Sequence, residues 1–424
     1  MLVALYFRSL NLAGWDNRNG LHPDERFIRD TAVRLRVPRS FGDYLTSVCP
    51  DPMPSPSNPD APPEERREPS LESGCSTLNP RNFNWSHRYV YGAFPTTLTR
   101  IAAETLIRTR EPTPDDILIV GRAMATLFDL LTLLVVFLLA RTLYGRNVGL
   151  LAAALYACAV MPIQQSHFFT TDNFGVTFVT LALFFGVRMA RRGRVSDAVL
   201  SGMALGAATA CKISLGAAVV VPVVAALVAG FSRWRGRAWG GHRARIYDLA
   251  PESRRPHGPR RALVLATALL AAAGLGALAM FRVAEADAFV SPDLWNLRLE
   301  PRFVAAIKDI RNYVDGTVDW PPAHQWAGRT PYLYPWRNMV QWGMGVPLGV
   351  AAWVGWLAAF WLMLRRRAWL HLVPWLWIAV YWGWQGREFS PFMRYYLPIY
   401  PPLIVFAAWA LYTAGGRLGR TPLA

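Results

Sequence analysis

The sequence predicts an all-α integral membrane protein, and three observations support this prediction. Of the 424 residues, 53% are hydrophobic and 18 are tryptophan, which is too apolar for an ordinary soluble protein. Several segments reach the roughly 20 apolar residues that cross the hydrocarbon core of a bilayer. Arginines cluster in alternate short loops, as in polytopic membrane proteins. Because only helices and closed barrels satisfy their backbone in lipid, each apolar segment is predicted to be a helix.

The candidate spans follow a short apolar run at the N-terminus. That run, residues 1–14, carries Arg8 and, at about 1.5 Å per residue, is too short to cross the bilayer. We expect a first helix that begins upstream, or a tilted anchor; a secretory signal peptide fits poorly because no basic region precedes the run. The bundle would then have about ten helices, in a range of about nine to eleven. The remaining spans are predicted at residues 116–140, 148–163, 173–189, 197–211, 213–231, 262–281, 344–364, 368–384 and 397–415.

The charge distribution predicts the topology. The chain carries 45 Lys and Arg against 28 Asp and Glu, a formal net charge of +17. These basic clusters lack the interleaved aromatic residues of a nucleic-acid platform, so no nucleic-acid partner is expected. The positive-inside pattern assigns the clusters to the cytoplasm, and they lie at residues 141–146, 188–194, 233–261, 365–367 and 417–420.

The segments between these clusters are expected to face outward, in a multi-pass protein of the plasma membrane. They are residues 15–115, 164–172, 282–343 and 385–396. We expect one transmembrane domain over residues 1–424, with long outer loops at 15–115 and 282–343. The first loop has a Pro-rich segment, 49–75, which is too polar to fold alone and is expected to be mobile. Its ends, Cys49 and Cys75, form either a disulfide or two free thiols.

Acidic residues mark the outer segments. Asp24 and Glu25 follow the first apolar run, where they form either a solvated turn or part of a site at the membrane surface. Asp172 opens a predicted span, so its carboxylate either caps the helix or converges with Asp24, with His167 nearby. Carboxylates and histidine suit a divalent metal, although no tight ligand spacing is present.

Cations are the other unusual feature. Lys212 and Arg122 lie near helix ends, where they either snorkel to the interface or face an internal cavity. Arg387 and Arg394 lie on the predicted outer side, where arginine is less expected. A guanidinium there needs an anionic partner, and its fork matches a phosphate. Acids and cations on one face therefore suggest a lipid-phosphate substrate. No Gly-rich loop that would hold a soluble nucleotide is present.

Two aromatic stretches accompany these residues. Tyr91 precedes an amphipathic run at 96–110 that suits a helix at the membrane interface. Trp326 belongs to an aromatic stretch that follows a predicted helix at 301–313. These rings form either a sugar-binding rim or the aromatic belt of helix ends.

The sequence resembles the membrane glycosyltransferases that use polyprenyl-phosphate sugars, in the branch of protein O-mannosyltransferases and lipid A aminoarabinose transferases. The resemblance covers nearly the whole chain, and its motifs are fairly specific only in combination. They are His22-Pro-Asp-Glu25, Tyr91-Gly-Ala-Phe-Pro95, Ser166-His-Phe-Phe-Thr-Thr-Asp-Asn173, Ala210-Cys-Lys212 and Arg394-Tyr-Tyr-Leu-Pro-Ile-Tyr-Pro401.

The resemblance implies a GT-C type transmembrane bundle and transfer of a mannose-like hexose or a pentose to a protein or glycolipid. Its implied catalytic residues are Asp24 as general base, with Glu25 and Asp172 shaping the site. Lys212, Arg394 and Arg387 would hold the carrier phosphate. Residues expected near acceptor or sugar are His22, His167, Tyr91 and Trp326. No cofactor is certain, and a divalent metal is possible. The alternative function is a transporter or flippase of lipid-linked sugars, which should place its polar residues at mid-membrane in paired halves.

Overall fold

The computed structural model describes residues 1–38, 40–45, 78–82, 89–235, 258–319, 321–366 and 368–418. Within these ranges the chain is almost entirely helical, and its only β feature is an isolated bridge between Phe289 and Leu299. The predicted mobile segment 49–75, with Cys49 and Cys75, lies outside the described residues. The α-helices are α1 Leu2–Ser9, α2 Pro23–Arg34, α3 Phe41–Leu45, α4 Ala93–Leu106, α5 Pro114–Tyr144, α6 Arg146–Ala157, α7 Val160–Ser166, α8 Asp172–Arg192, α9 Val195–Cys211, α10 Val220–Arg235, α11 Pro259–Ala284, α12 Pro301–Asp315, α13 Leu333–Asn338, α14 Val346–Arg366, α15 Leu372–Gln385 and α16 Tyr400–Leu418.

The prediction of an all-α, multi-pass membrane protein is confirmed. Among the described residues, six helices are long and apolar enough to cross a membrane, or seven if one bent pair forms a single span. Two further predicted spans correspond to the shorter helices α9 and α15, of 17 and 14 residues. The last span begins with a 3-10 segment, Met393–Ile399, which leads into α16.

The predicted span at 148–163 is broken rather than continuous. It divides into α6 and α7, which are bent by 59° at the break. Pro162 explains the break, because in a continuous helix its ring would clash with the carbonyl of Cys158 and its missing N–H would leave that carbonyl unpaired.

Small residues allow α9 to approach α11 closely. A Cβ atom added to Gly202 would lie 1.9 Å from the carbonyl oxygen of Ala273, and one added to Gly206 would lie 2.3 Å from that of Ala277. This Gly-x-x-x-Gly spacing places both glycines on one helix face, where van der Waals contact between backbones stabilises helix pairs in lipid.

Helix α1 is attached to the bundle by a buried ion pair. Asp129, halfway along α5, accepts hydrogen bonds from the Arg8 guanidinium and, at 2.6 Å, from the Tyr156 hydroxyl. Arg8 also donates to the carbonyl oxygen of Ala157 at 2.9 Å. Asp129 is 1% exposed, so its charge depends on these partners.

We expect Arg8→Met to destabilise the fold by about 3–5 kcal/mol, because it leaves the Asp129 carboxylate buried without its cation. The midpoint of thermal unfolding in detergent should fall by several degrees. Arg18→Met is the matched control, since Arg18 and Asp115 form a half-exposed pair at 3.6 Å that contributes little. Equal midpoints for the two variants would contradict this account of α1.

Candidate active site

One cavity of about 260 Å³ gathers the predicted outer segments at one end of the bundle. Its walls come from segments that are far apart in sequence and that meet where helices end and loops begin. The lining residues are Asp24, Val90, Tyr91, Thr170, Thr171, Asp172, Lys212, Ile213, Ser214, Ile307, Ile310, Arg311, Val314, Trp384, Gln385, Glu388, Arg394 and Tyr395.

Arg394 lies at the centre of the charged wall. Its Nη2 is 2.5 Å from Asp24 Oδ2, and its Nη1 donates a hydrogen bond of 2.9 Å to His22 Nε2. Its Nε lies 3.8 Å from Asp172 Oδ2. One guanidinium therefore joins the start of α2, the start of α8 and the 3-10 segment before α16.

Lys212 is the second cation of this wall. Its Nζ donates a hydrogen bond of 3.0 Å to Asp172 Oδ1 and lies 3.9 Å from the centre of the Tyr395 ring. Although Asp172 begins α8, both of its carboxylate oxygens contact cations, which favours the predicted convergence with Asp24 over a simple helix cap. The wall thus contains two carboxylates and two cations, and its formal charges cancel.

His22 contributes a neutral ring to this cluster. Burial and the positive charge of Arg394 lower the pKa of His22 below its usual value. A neutral imidazole can accept a hydrogen bond at Nε2, which agrees with the hydrogen bond that Arg394 donates. The ring also lies 4.9 Å from that of Phe168, between the ring centres.

Glu25 lies outside the cavity, although it follows Asp24 directly. Its carboxylate is fully buried and accepts two hydrogen bonds of 2.8 Å from Arg122, plus one of 2.7 Å from the backbone N–H of Phe169. Successive residues of a helix point about 100° apart, so the two acids of α2 have different surroundings. Asp24 therefore lines the cavity, whereas Glu25 belongs to a buried ion-pair cluster with Arg122, which we call the support.

Asp16 completes that support. Arg122 donates to both of its carboxylate oxygens, at 3.0 and 2.7 Å, and this contact lowers the pKa of Asp16 to about 2. Asp16 also accepts a hydrogen bond of 3.0 Å from the backbone N–H of Gly20, which has a φ of 58°. Arg122 therefore faces the bundle interior, one of the two alternatives for this residue, and holds the loop that carries Asp24.

The other expected site residues divide into two groups. Tyr91 lines the cavity, and burial raises the pKa of its hydroxyl well above the usual value. The next residue, Gly92, packs directly against the end of α9. A Cβ atom at this position would lie 1.9 Å from the Ala210 carbonyl oxygen, so only glycine fits. The residues that do not line the cavity are His167, Trp326 and Arg387.

These three residues have other surroundings. The His167 ring contacts the carbonyl oxygens of Ile163 and Leu10, at 2.8 and 3.2 Å. Trp326 packs edge-on against Phe392, with ring centres 5.0 Å apart. Arg387 is exposed.

The charged wall does not have the donor set of a metal site. No group of three or more His, Cys, Asp and Glu side chains in the described ranges is arranged to hold a metal ion. Asp24 and Asp172 each contact a cationic side chain instead.

Sequence reasoning did not find every residue of the cavity. Gln385, Glu388 and Arg311 line it as well. A usable signal was that Gln385 and Glu388 lie in the same predicted outer segment as Arg394. Arg311 lies on α12, which was predicted as a helix at 301–313, but nothing in its sequence indicated which face meets the cavity.

Comparison with known proteins gives a family match over part of the chain. Residues 116–239 match the family model described as dolichyl-phosphate-mannose-protein mannosyltransferase. This segment includes Asp172 and Lys212 but neither Asp24 nor Arg394. A sequence search among curated proteins found no significant match.

Solved structures align with nearly the whole chain. The apo oligosaccharyltransferase of Archaeoglobus fulgidus aligns with a TM-score of 0.54 at 14% identity, over 98% of this chain and 50% of that chain. The archaeal oligosaccharyltransferase AglB from Archaeoglobus fulgidus, in complex with an inhibitory peptide and a dolichol-phosphate, aligns with a TM-score of 0.51 at 14% identity, over 99% and 50%. ArnT from Cupriavidus metallidurans, bound to undecaprenyl phosphate, aligns with a TM-score of 0.45 at 15% identity, over 93% and 60%.

The chain spans about half the length of the oligosaccharyltransferases that it matches. Those two alignments confirm the predicted fold, and the family match falls on the helices that carry Asp172 and Lys212. By its fold, the chain is a multi-pass membrane protein of the GT-C type, and its residues 116–239 are similar to the dolichyl-phosphate-mannose-protein mannosyltransferase family.

Proposed function

We propose that this protein is a membrane glycosyltransferase that moves a sugar from a polyprenyl-phosphate carrier to a protein or glycolipid hydroxyl. The observation that carries the proposal is the pairing of Arg394 and Lys212 with Asp24 and Asp172 in one cavity. Two cations suit a phosphate, and a carboxylate beside them suits a base. The matched mannosyltransferase family and the dolichol-phosphate in the AglB structure support this donor class.

The cations have a catalytic task in this proposal. A polyprenyl-phosphate sugar is a phosphodiester with one negative charge, and its phosphate gains a second charge when the bond to the sugar breaks. Arg394 and Lys212 would therefore interact more strongly with the leaving phosphate than with the bound donor. Only interactions that strengthen in this way accelerate the chemical step.

Donor binding would also release the base. Arg394 Nη2 lies 2.5 Å from Asp24 and holds that carboxylate in an ion pair. A donor phosphate competes for the same guanidinium, whose planar fork matches a phosphate well. Exchange of partners at Arg394 would free Asp24 to meet an acceptor, while Asp172 keeps Lys212 in place at 3.0 Å.

The transfer itself is a single displacement. Asp24 takes the proton of the acceptor hydroxyl, and the acceptor oxygen forms a bond to the anomeric carbon of the sugar. The bond from that carbon to the phosphate oxygen breaks, and the electron pair leaves with the polyprenyl phosphate. A single displacement inverts the configuration at the anomeric carbon, and the sugar would be a mannose-like hexose or a pentose.

The position of the charges favours an enzyme over a transporter of lipid-linked sugars. Asp172 begins α8, Lys212 follows the last residue of α9, and Arg394 precedes α16. A transporter is expected to bind its substrate near mid-membrane. Asp129, a buried charge within the α5 span, is already paired with Arg8 of α1.

We expect Asp24→Asn to lower turnover by roughly 10²–10⁴, the usual effect of removing a general base. The KM for the donor should not rise, because Arg394 loses a competing carboxylate. Steady-state kinetics with the protein in detergent or nanodiscs measures both quantities.

Glu25→Gln is the matched control for that experiment, since it makes the same chemical change one residue away. It should lower thermal stability, because Glu25 shares a fully buried ion pair with Arg122, while turnover per folded molecule falls far less. Near-wild-type turnover of Asp24→Asn would remove Asp24 from the mechanism.

We also propose that the cavity faces outward, as the arginine clusters indicate. Single cysteines at Thr317 and Ser196, two exposed positions, test this in a background without native cysteines. A membrane-impermeant thiol reagent applied to intact cells should label the cysteine at position 317 and leave that at position 196 unlabelled. The reverse pattern would invert the topology.

A further inference from the structure

The cavity has a second wall that the phosphate site does not use. Trp384 and Gln385, at the end of α15, line it together with Glu388 and with Arg311 of α12. The donor phosphate is one bond from the sugar, so a sugar held by its phosphate at Arg394 must lie in the remainder of this cavity.

Gln385 is the most informative residue of this wall. It is 4% exposed, and within the described ranges its Nε2 has no hydrogen-bond partner. Its backbone is fixed, since its carbonyl oxygen accepts a hydrogen bond of 3.0 Å from Tyr396 Oη. A buried amide without a partner costs free energy, and a ligand that accepts its hydrogen bond recovers that cost.

A second residue with a buried, unpartnered polar atom among the described residues lines the same cavity. Thr170 is 2% exposed, and its Oγ1 has no partner in the described part of the chain. Thr170 lies two residues before Asp172, so it lines the cavity beside the charged wall. Gln385 and Thr170 thus offer unused hydrogen-bonding atoms from two separate segments.

The remaining groups of this wall suit a sugar ring. Glu388 and Arg311 line the cavity without an ion pair to any described residue, so their charges are available to hydroxyl groups. Trp384 is half-buried and presents an aromatic surface on which the apolar face of a sugar can pack. A volume of about 260 Å³ lies just below the roughly 300–1,000 Å³ of pockets for drug-sized ligands, which fits one sugar unit better than an oligosaccharide.

We infer that Gln385, with Trp384, Glu388 and Thr170, forms a subsite that binds the hydroxyl groups of a single neutral sugar on the donor lipid. Gln385 is its specificity-determining residue, because its Nε2 donates to one sugar hydroxyl. The inference rests on the proposed function and adds which residues select the sugar. A site built to hydrogen-bond a hydroxyl strongly rejects the analogue that lacks it, because its own polar group is then left unpaired.

The test compares donors within one preparation of the full-length protein. Turnover is measured with short-chain polyprenyl-phosphate sugars and with monodeoxy analogues of the best donor. We expect wild type to reject one analogue strongly, and Gln385→Leu to reduce that discrimination by roughly 10²-fold. Both rates are measured on the same sample. A loss of active protein through partial misfolding therefore lowers both rates equally and cancels in their ratio.

Two controls isolate the subsite. Binding of sugar-free polyprenyl phosphate should be unchanged in Gln385→Leu, since Arg394 and Lys212 remain. Gln325→Leu should leave the discrimination unchanged, because Gln325 is exposed and bonds only locally, to the Pro322 carbonyl oxygen at 2.7 Å.

The possible outcomes separate the subsite, the neutral charge of the sugar and the proposed function. An unchanged discrimination ratio in Gln385→Leu overturns the subsite while leaving the glycosyltransferase proposal intact. A preference for an amino-sugar donor that Glu388→Gln abolishes overturns the assignment of a neutral sugar. Absence of turnover by wild type with every sugar donor overturns the proposed function and the subsite together.

Discussion

The guanidinium of Arg394 is the interaction on which the site depends. It contacts Asp24, His22 and Asp172, which lie at the starts of two helices, α2 and α8, that are far apart in sequence. Without this cation, two carboxylates would meet in a partly buried cavity, where like charges repel and desolvation is costly. With it, and with Lys212 on Asp172, the formal charges of this wall cancel and its segments are held together. The same cation is also the group that a donor phosphate would bind.

A second arginine makes this arrangement possible. Arg122 holds Asp16 and Glu25 at the base of the loop that carries Asp24, and all three side chains are fully buried. Adjacent acids therefore have different roles, since Glu25 positions α2 and Asp24 faces the cavity. A buried ion pair of this kind adds little net free energy to the stability of the fold, but removal of one partner is strongly destabilising. Such a pair therefore suits residues that fix the geometry of a site.

Much of the fold was predictable because the bilayer imposes it. Segment length and hydropathy predicted the spans, and arginine placement grouped the outer segments that meet at the cavity, including those of Asp24, Asp172 and Arg394. The break before α7 was missed because hydropathy does not register the effect of Pro162 on the preceding turn. Charge alone also did not reveal the direction in which Glu25 points, since that depends on the rotation of α2 against the bundle.

Uncharged residues were the hardest to anticipate. Gln385 does not stand out by residue type in a stretch rich in tryptophan. Its place in the predicted outer segment of Arg394 was the one signal, and its importance follows from its burial without a side-chain partner among the described residues. Conversely, Arg387 and Trp326 drew attention by residue type, yet neither lines the cavity. Gln385 and Glu388, close to Arg387 in sequence, do line it, so for this segment the prediction identified the correct stretch but not the correct side chain.

The most direct test of the account is incubation of purified protein with a panel of polyprenyl-phosphate sugars, with release of polyprenyl phosphate followed by mass spectrometry. We expect one donor to be consumed with matching release of its carrier. Arg394→Gln should raise the KM for that donor and slow release, because it removes a contact with the leaving phosphate. Failure to consume any donor, or wild-type rates in Arg394→Gln, would contradict the account.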